Sequence, residues 1–380
     1  MTHSRVSDSR IYPDGFKMSE VYFAQVGTSG GKGLLEQTVP LFNKAGFNDV
    51  VGEHDLVAVK LHFGELGCSS FIPGFYIREI VKAIAGCEAR PFLTDSCVLY
   101  LGKRRNAYDH TITAHANGFS LSTTGAPVII ADGLQGSYVE PFEIQGKYFD
   151  IVDIAGAVAD ADSLVVVSHV TGHGLTGFAG AFKNLGMGAV GRAVKLSIHE
   201  LVRPQVDRDT CDACAGCLKH CPVDAISIDK GGGFAVIDLE LCIGCGECMT
   251  ICPREAIRIE WQGDSERAQE KLAEAASAVI RQKDKIAYFN YLLNVTPSCD
   301  CWQHTAAPMV ADIGLLASRD PVAIDQASID LVKDAPCGYN NKYSDVNRRF
   351  RPIGGGPFDS TLSYAEELGL GTRDYELIPV

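Results

Sequence analysis

Two stretches, CDACAGCLKHCP and CIGCGECMTICP, carry one spacing, C-x2-C-x2-C-x3-C-P, and their first cysteines, Cys211 and Cys242, lie 31 residues apart. DAISI (224–228) and EAIRI (255–259) follow at matching offsets, so the segment is an internal duplication. No other feature constrains the fold as tightly. Three thiolates this close can grip three irons of one cubane from a single loop, and the fourth iron needs a ligand from elsewhere. Zinc, the competing ion, usually takes cysteines as C-x2-C pairs with a spacer before the next pair, and it has no need of the closing Cys-Pro. No C-x-x-C-H haem site is present. The chain holds 14 cysteines, and its polar N-terminus lacks an apolar signal core. That combination reads as a reducing, cytoplasmic setting, where cysteine patterns serve metal or redox chemistry rather than structural disulfides.

The segment resembles the bacterial dicluster ferredoxin fold. In such ferredoxins the fourth cysteine of each run serves the other cluster. The resemblance therefore assigns Cys211, Cys214, Cys217 and Cys252 to one [4Fe–4S] cluster, and Cys242, Cys245, Cys248 and Cys221 to the second. Gly216, Gly244 and Gly246 let backbone amides approach the cluster sulfurs. Two such clusters imply electron transfer with a soluble donor or acceptor protein, and oxygen sensitivity suited to an anaerobic niche.

Around this segment the pattern changes. EVYFAQV (20–26), LVAVKLHF (56–63), PFLTDS (91–96), PVIIAD (127–132) and SLVVVSHV (163–170) are short, β-branched and nearly all apolar, as strands covered on both faces should be. Helical patterns at 33–46, 75–86, 109–118, 151–160 and 178–190 separate them. Asp264 is placed to cap a helix with an apolar stripe at Leu272, Ala275, Ala276, Val279 and Ile280. Strands follow at 285–295 and 309–318, and Asp320-Pro321 opens a helix through Val332. The expected fold class is α/β: a mostly parallel sheet sandwiched by helices, interrupted by a small α+β ferredoxin-like insert. The expected domains are a disordered leader at 1–17, with Met18 as a candidate start; a discontinuous α/β domain at 18–204 and 263–380; and the insert at 205–262. The tail from Cys337 is expected to wrap the surface. No run of 18 apolar residues predicts a membrane span, and a net charge of -13 argues against nucleic acid.

VAVKLHFGE (57–65), TDSCVLY (94–100), SHVTGHGLTGFAGAFKNLGMG (168–188) and GLLASRDPVAID (314–325), in this order, resemble the DUF362 family, whose α/β domain often carries a ferredoxin-type insert at this place. Function must come from the residues. In an open α/β sheet, ligands gather outside the carboxyl ends of strands. Lys60 and His62, Asp95 and Cys97, and His169 and His173 stand at three such ends. Lys183, Asn184 and His62 suit a small anionic substrate; the competing reading is that these residues cap helices and fill turns. GTSGGKG (27–33) is not a Walker loop, because Val26 and Gly33 occupy positions that require glycine and a hydroxyl. No GxGxxG follows a predicted strand, so direct NAD(P)H oxidation is not expected, while flavin stays open.

SCDCWQH (298–304) follows another strand end. Three readings stand. Cys299 and Cys301, with Cys97, Cys68 or His304, bind a third metal or cluster. One thiolate is a redox nucleophile activated by nearby Lys or His. Or both are ordinary buried thiols. An oxidoreductase requires Cys299, Cys301, His169, His173, Asp95 and Lys60 to converge. A non-catalytic electron carrier or cluster-handling protein, docking a partner oxidoreductase through its α/β domain, does not.

Overall fold

Eight strands form the central sheet of the computed structural model, in the order Tyr375–Pro379, Ser19–Gln25, Gly314–Ser318, Ile286–Leu292, Ser163–His169, Leu56–Lys60, Arg90–Asp95 and Val128–Ile130. The structure describes residues 18–27, 31–99, 102–199, 204–221, 223–242, 248, 252–254, 256–259, 265–337, 343–345, 348–350 and 357–380. Gly314–Ser318 runs antiparallel to both neighbours, and every other pairing in this sheet is parallel.

The strand Ser163–His169 is buried at every position. Its side chains alternate between two cores, as the two-residue period of a strand requires. Leu164 and Val166 pack with the helices Ser265–Gln282 and Pro321–Asp334 on one face. Val165 and Val167 pack with Leu34–Lys44 and Gly74–Ala85 on the other. The Asp320 carboxylate accepts the amides of Val322 and Ala323 at 2.8 and 2.9 Å, with Pro321 in the first turn, so that helix begins where the sequence predicts. Asp264 lies outside the described residues. Among the described residues, no helix is long and apolar enough to cross a membrane.

Three elements depart from expectation. Residues 151–160 are a strand, Ile151–Ala155, before a short helix, Gly156–Asp160. The strand pairs with Val139–Glu143 and buries Val152 and Ile154, a period of two that the apolar run concealed. Residues 178–190 likewise split: Gly177–Ala179 pairs with Thr171–His173, and only Ala181–Gly186 is helical. The tail does more than wrap the surface. Its helix Ser360–Glu367 packs on Ser265–Gln282, and Tyr375–Pro379 adds a parallel edge strand beside Ser19–Gln25.

The cysteine-rich segment is small and doubled. Pro204–Val206 pairs with Ile257–Ile259, and Ile226–Asp229 with Phe234–Ile237. The Asp207 amide donates to the Ala256 carbonyl at 2.7 Å, and the Asp238 amide to the Ala225 carbonyl at 2.8 Å. These bonds exchange under a 31-residue shift, so the repeat in the sequence becomes an approximate two-fold in space, each half completing the other.

Candidate active-site crevice and thiol-lined pocket

A pocket in the doubled segment is lined by Cys211, Cys214, Cys217 and Cys252, together with Ile228, Ala235 and Ile257. Ala213 and Ala215, between the first cysteines, adopt left-handed backbone at φ 55° and 58°. Alanine pays for that conformation, so the loop is coiled for a purpose beyond its own stability. Amides point at sulfur: Ala235 to Cys211 at 3.4 Å, Ala256 to Cys252 at 3.3 Å, and Ala225 to Cys221 at 3.2 Å. Cys217 and Cys248 sit in the segment's own core with Ile226, Ala235 and Ile257. Cys245, Gly244 and Gly246 lie outside the described residues. Among the described residues, no three ligating side chains converge as they would on one ion. A cubane asks for a different arrangement, because each thiolate holds its own iron and the four sulfurs stand apart around it. The four thiols of the pocket suit that donor set.

The second constellation gathers at the carboxyl ends of the central strands. Lys60 and Asp95 end neighbouring strands, and their charged groups meet at 2.9 Å in a site almost closed to solvent. Arg104 reaches Asp95 at 3.5 Å and Glu65 at 3.3 Å. Burial works against the Asp95 carboxylate, but Lys60 and the surrounding cations hold its pKa well below the usual range. Asn184 accepts from Lys60 at 2.7 Å and donates to the Val167 carbonyl at 3.0 Å, which pins Ala181–Gly186 to the sheet.

On the solvent side of this network stands Cys301. The His62 Nδ1 accepts the Gly64 amide at 3.0 Å, which leaves the proton on Nε2, and Nε2 faces the Cys301 sulfur at 3.4 Å. The Lys183 ammonium approaches the same sulfur at 3.9 Å. A hydrogen bond from Cys299 lowers the Cys301 pKa most, and the charge of Lys183 and the hydrogen bond from His62 add to it against the cost of burial; the net shift is well below the ordinary thiol value. Cys299 is raised by that same bond and by burial.

Asp300, between the two cysteines, faces inward. Its carboxylate accepts from His169 Nδ1 at 2.7 Å and from the Ser70 hydroxyl at 2.6 Å. His169 Nε2 lies 2.7 Å from the Leu293 carbonyl. Both ring nitrogens thus face acceptors, so His169 is a buried imidazolium. Burial opposes its charge, yet Asp300 outweighs that and raises its pKa. His173 and His199 feel the charges of Lys183 and Cys301 across the recess. Burial and Lys183 push His173 well down, and His199 to about 4, so both rings are neutral at pH 7.

The structure therefore brings Cys299, Cys301, His62 and Lys183 together, with His173 in electrostatic reach, His169 joined through Asp300, and Lys60, Asp95 and Asn184 behind. Cys97 stands apart. Its amide binds the Asp132 carboxylate at 2.9 and 3.0 Å, and burial beside Asp132 pushes its thiol up to about 12. His304 is exposed, its ring 5.7 Å from Trp302. Cys68 is buried with its sulfur 3.2 Å from the Ser70 hydroxyl and 3.7 Å from Asp300. Sequence reasoning missed Asp300, Arg104, Glu65 and His199. Only Asp300, flanked by two noted cysteines, had a local signal.

Both attachment points of the cysteine-rich segment border this recess. His199 ends the helix Arg192–His199, just before the segment begins. At the exit, the Ser265 hydroxyl donates to the Leu175 carbonyl at 3.0 Å, two residues after His173. Lys271 ties the two ends together by donating to the Ser197 carbonyl at 2.9 Å.

A family model described as a domain of unknown function, DUF362, matches residues 57–330. No curated protein matches the chain. Among solved structures, the lactate racemase apoprotein from Thermoanaerobacterium thermosaccharolyticum is similar at 13% identity with a TM-score of 0.34, over 76% of this chain and 53% of that one. A structural-genomics protein from Thermotoga maritima is similar at 10% identity with a TM-score of 0.34, over 65% of this chain and 49% of that one. The chain spans about half the length of both structures.

Proposed function

The chain belongs to the DUF362 family, and from its own residues we propose an iron–sulfur oxidoreductase that receives single electrons through the insert at 205–262 and delivers them to a small substrate in the crevice. The observation that carries this reading is the placement of the insert's two attachment points, at His199 and at Ser265 beside Leu175, on the rim that holds Cys301 and Lys183. Cys211, Cys214, Cys217 and Cys252 would hold one cluster; Cys242, Cys245, Cys248 and Cys221 the other. Clusters of this kind supply one-electron transfer over a wide range of potentials.

The crevice residues have separate tasks. Lys183 offers positive charge to an anionic group, while His62 keeps its Nε2 proton directed at the Cys301 sulfur. Lys60, Asp95, Arg104 and Glu65 form a buried ionic base that fixes the strand ends before substrate arrives. The donor is a soluble electron-carrier protein.

The test is iron and acid-labile sulfide on anaerobically purified protein. About eight of each per chain are expected, falling to about four in a Cys211→Ala/Cys214→Ala variant; stoichiometric zinc would overturn the reading. Next, the reduced chain is offered mixtures of small-molecule acceptors without oxygen. Acceptor-dependent reoxidation that is lost in Lys183→Ala supports an enzyme. Reoxidation indifferent to that change would make the chain a carrier.

A further inference from the structure

Cys299 and Cys301 are built as a pair. The Trp302 amide approaches the Cys299 carbonyl at 3.5 Å, closing a turn with Asp300 and Cys301 at its centre. A turn whose ends lie within about 7 Å keeps its first and third residues inside the roughly 4.4–6.8 Å that a disulfide bridges. Each thiol shifts the other's pKa in the opposite sense. They also differ in surroundings: the Cys301 sulfur has the His62 Nε2 at 3.4 Å and the Lys183 ammonium at 3.9 Å, contacts that Cys299 does not share.

The turn is held from both sides. The Glu65 amide donates to the Asp300 carbonyl at 2.9 Å, and the Gly172 amide to the Thr296 carbonyl at 2.8 Å. A Cβ at Gly67, where φ is +99°, would stand 2.6 Å from the Gln303 carbonyl oxygen, and one at Gly172 would collide with the Pro297 carbonyl. The Asp300 side chain is fixed inward by His169 and Ser70. Cys301, next in the chain, faces the recess at His62 and Lys183. In a reducing compartment a disulfide at such a place is transient and catalytic rather than structural.

We propose that Cys299 and Cys301 form a reversible disulfide that collects electrons in pairs and exchanges with a low-molecular-weight disulfide in the crevice. This rests on the reading that single electrons enter through the insert. In the exchange, the Cys301 thiolate attacks one sulfur of the substrate RSSR; that bond breaks, RS⁻ leaves, and a mixed disulfide remains. The Cys299 sulfur then attacks Cys301, expelling the second half as a thiol that takes the Cys299 proton. Two electrons, arriving singly, and one proton reopen the Cys299–Cys301 bond to a thiol and a thiolate. The sum is RSSR plus two electrons and one proton giving RSH and RS⁻. The His62 and Lys183 contacts assign Cys301 as the attacking sulfur and Cys299 as the resolving one.

Trypsin frees residues 286–319, which contain Cys299 and Cys301 and no other cysteine. The full chain, purified with its iron, is treated anaerobically with 2-hydroxyethyl disulfide, quenched in acid, alkylated and mapped by mass. The expected peptide takes no alkyl group and is two hydrogens lighter, while the Cys299→Ser variant carries a mixed disulfide on Cys301. After photoreduction of the iron, both thiols should return, and they should not return in a sample stripped of iron and sulfide. Two free thiols after the disulfide treatment overturn the proposal whatever the iron content. A disulfide that stays closed on photoreduction also overturns it, and about eight irons per chain in that sample leave the two-cluster reading standing. A Cys299→Ser variant that loses about four irons overturns it in favour of a third cubane.

Discussion

The insert and the crevice are both rich in cysteine, yet they are built in opposite ways. The insert draws its thiols from two short runs, and among the described residues its core is Cys217, Ile226, Ala235, Cys248 and Ile257 with partly buried neighbours. Several of the groups in that core are sulfur. A core of that size adds little stability of its own. The crevice draws its groups from strand ends and loops far apart in the chain, and salt bridges at Lys60, Arg104 and His169 organise them within a large packed body. One region has thiols close together in the chain and a small described core. The other has residues distant in the chain, held by two large packed cores.

If the insert holds the proposed clusters, removing iron and sulfide without oxygen tests that contrast most severely. Protease sites within 205–262 should open while the α/β body keeps its helical signal, because binding energy in such segments is folding energy. An insert as resistant as before would break the comparison. In the body, Lys60→Ala leaves Asp95 buried with its main partner gone and should cost about 3–5 kcal/mol in urea unfolding. A loss below about 1 kcal/mol would mean that Arg104 alone satisfies the carboxylate. Gly172→Ala forces a methyl against the Pro297 carbonyl and should cost about 1–3 kcal/mol. It should also change the alkylation rate of Cys301, and an unchanged rate would show that the turn is positioned from elsewhere.

The smallest expected effect is a pH dependence. Because the His169 pKa is raised on folding, its contribution is complete below its ordinary value and is lost as pH climbs through the folded one. Asp300 is lowered, so its contribution is present above the usual carboxylate range and is lost as pH falls through the folded value. The pair therefore supports the body in a window closed by Asp300 on the acid side and by His169 on the alkaline side. His169→Gln should flatten the alkaline limb of a stability profile, and an unaltered limb would remove His169 from that role.

By itself the sequence determined what depends on neighbours along the chain. The strands Leu56–Lys60 and Ser163–His169 and the Asp320-Pro321 helix start are local patterns visible in a window of a few residues, and the duplication shows on comparing two short windows 31 residues apart. Local patterns also misled where an apolar run could serve two periods, as at 151–160. Tertiary structure alone decided the crevice. Nothing local links Asp300 to His169, Arg104 to Glu65, or His199 to Cys301, because the sheet order places strands from distant parts of the chain side by side. The Cys97 thiol shows the same thing in reverse. It stands at a strand end, as Lys60 does, yet its neighbours are Asp132 and Lys195 rather than Cys301, and they leave it protonated and apart. A charge or thiol takes its reactivity from what surrounds it in space, and only the folded sheet brings those groups within a few ångströms of one another.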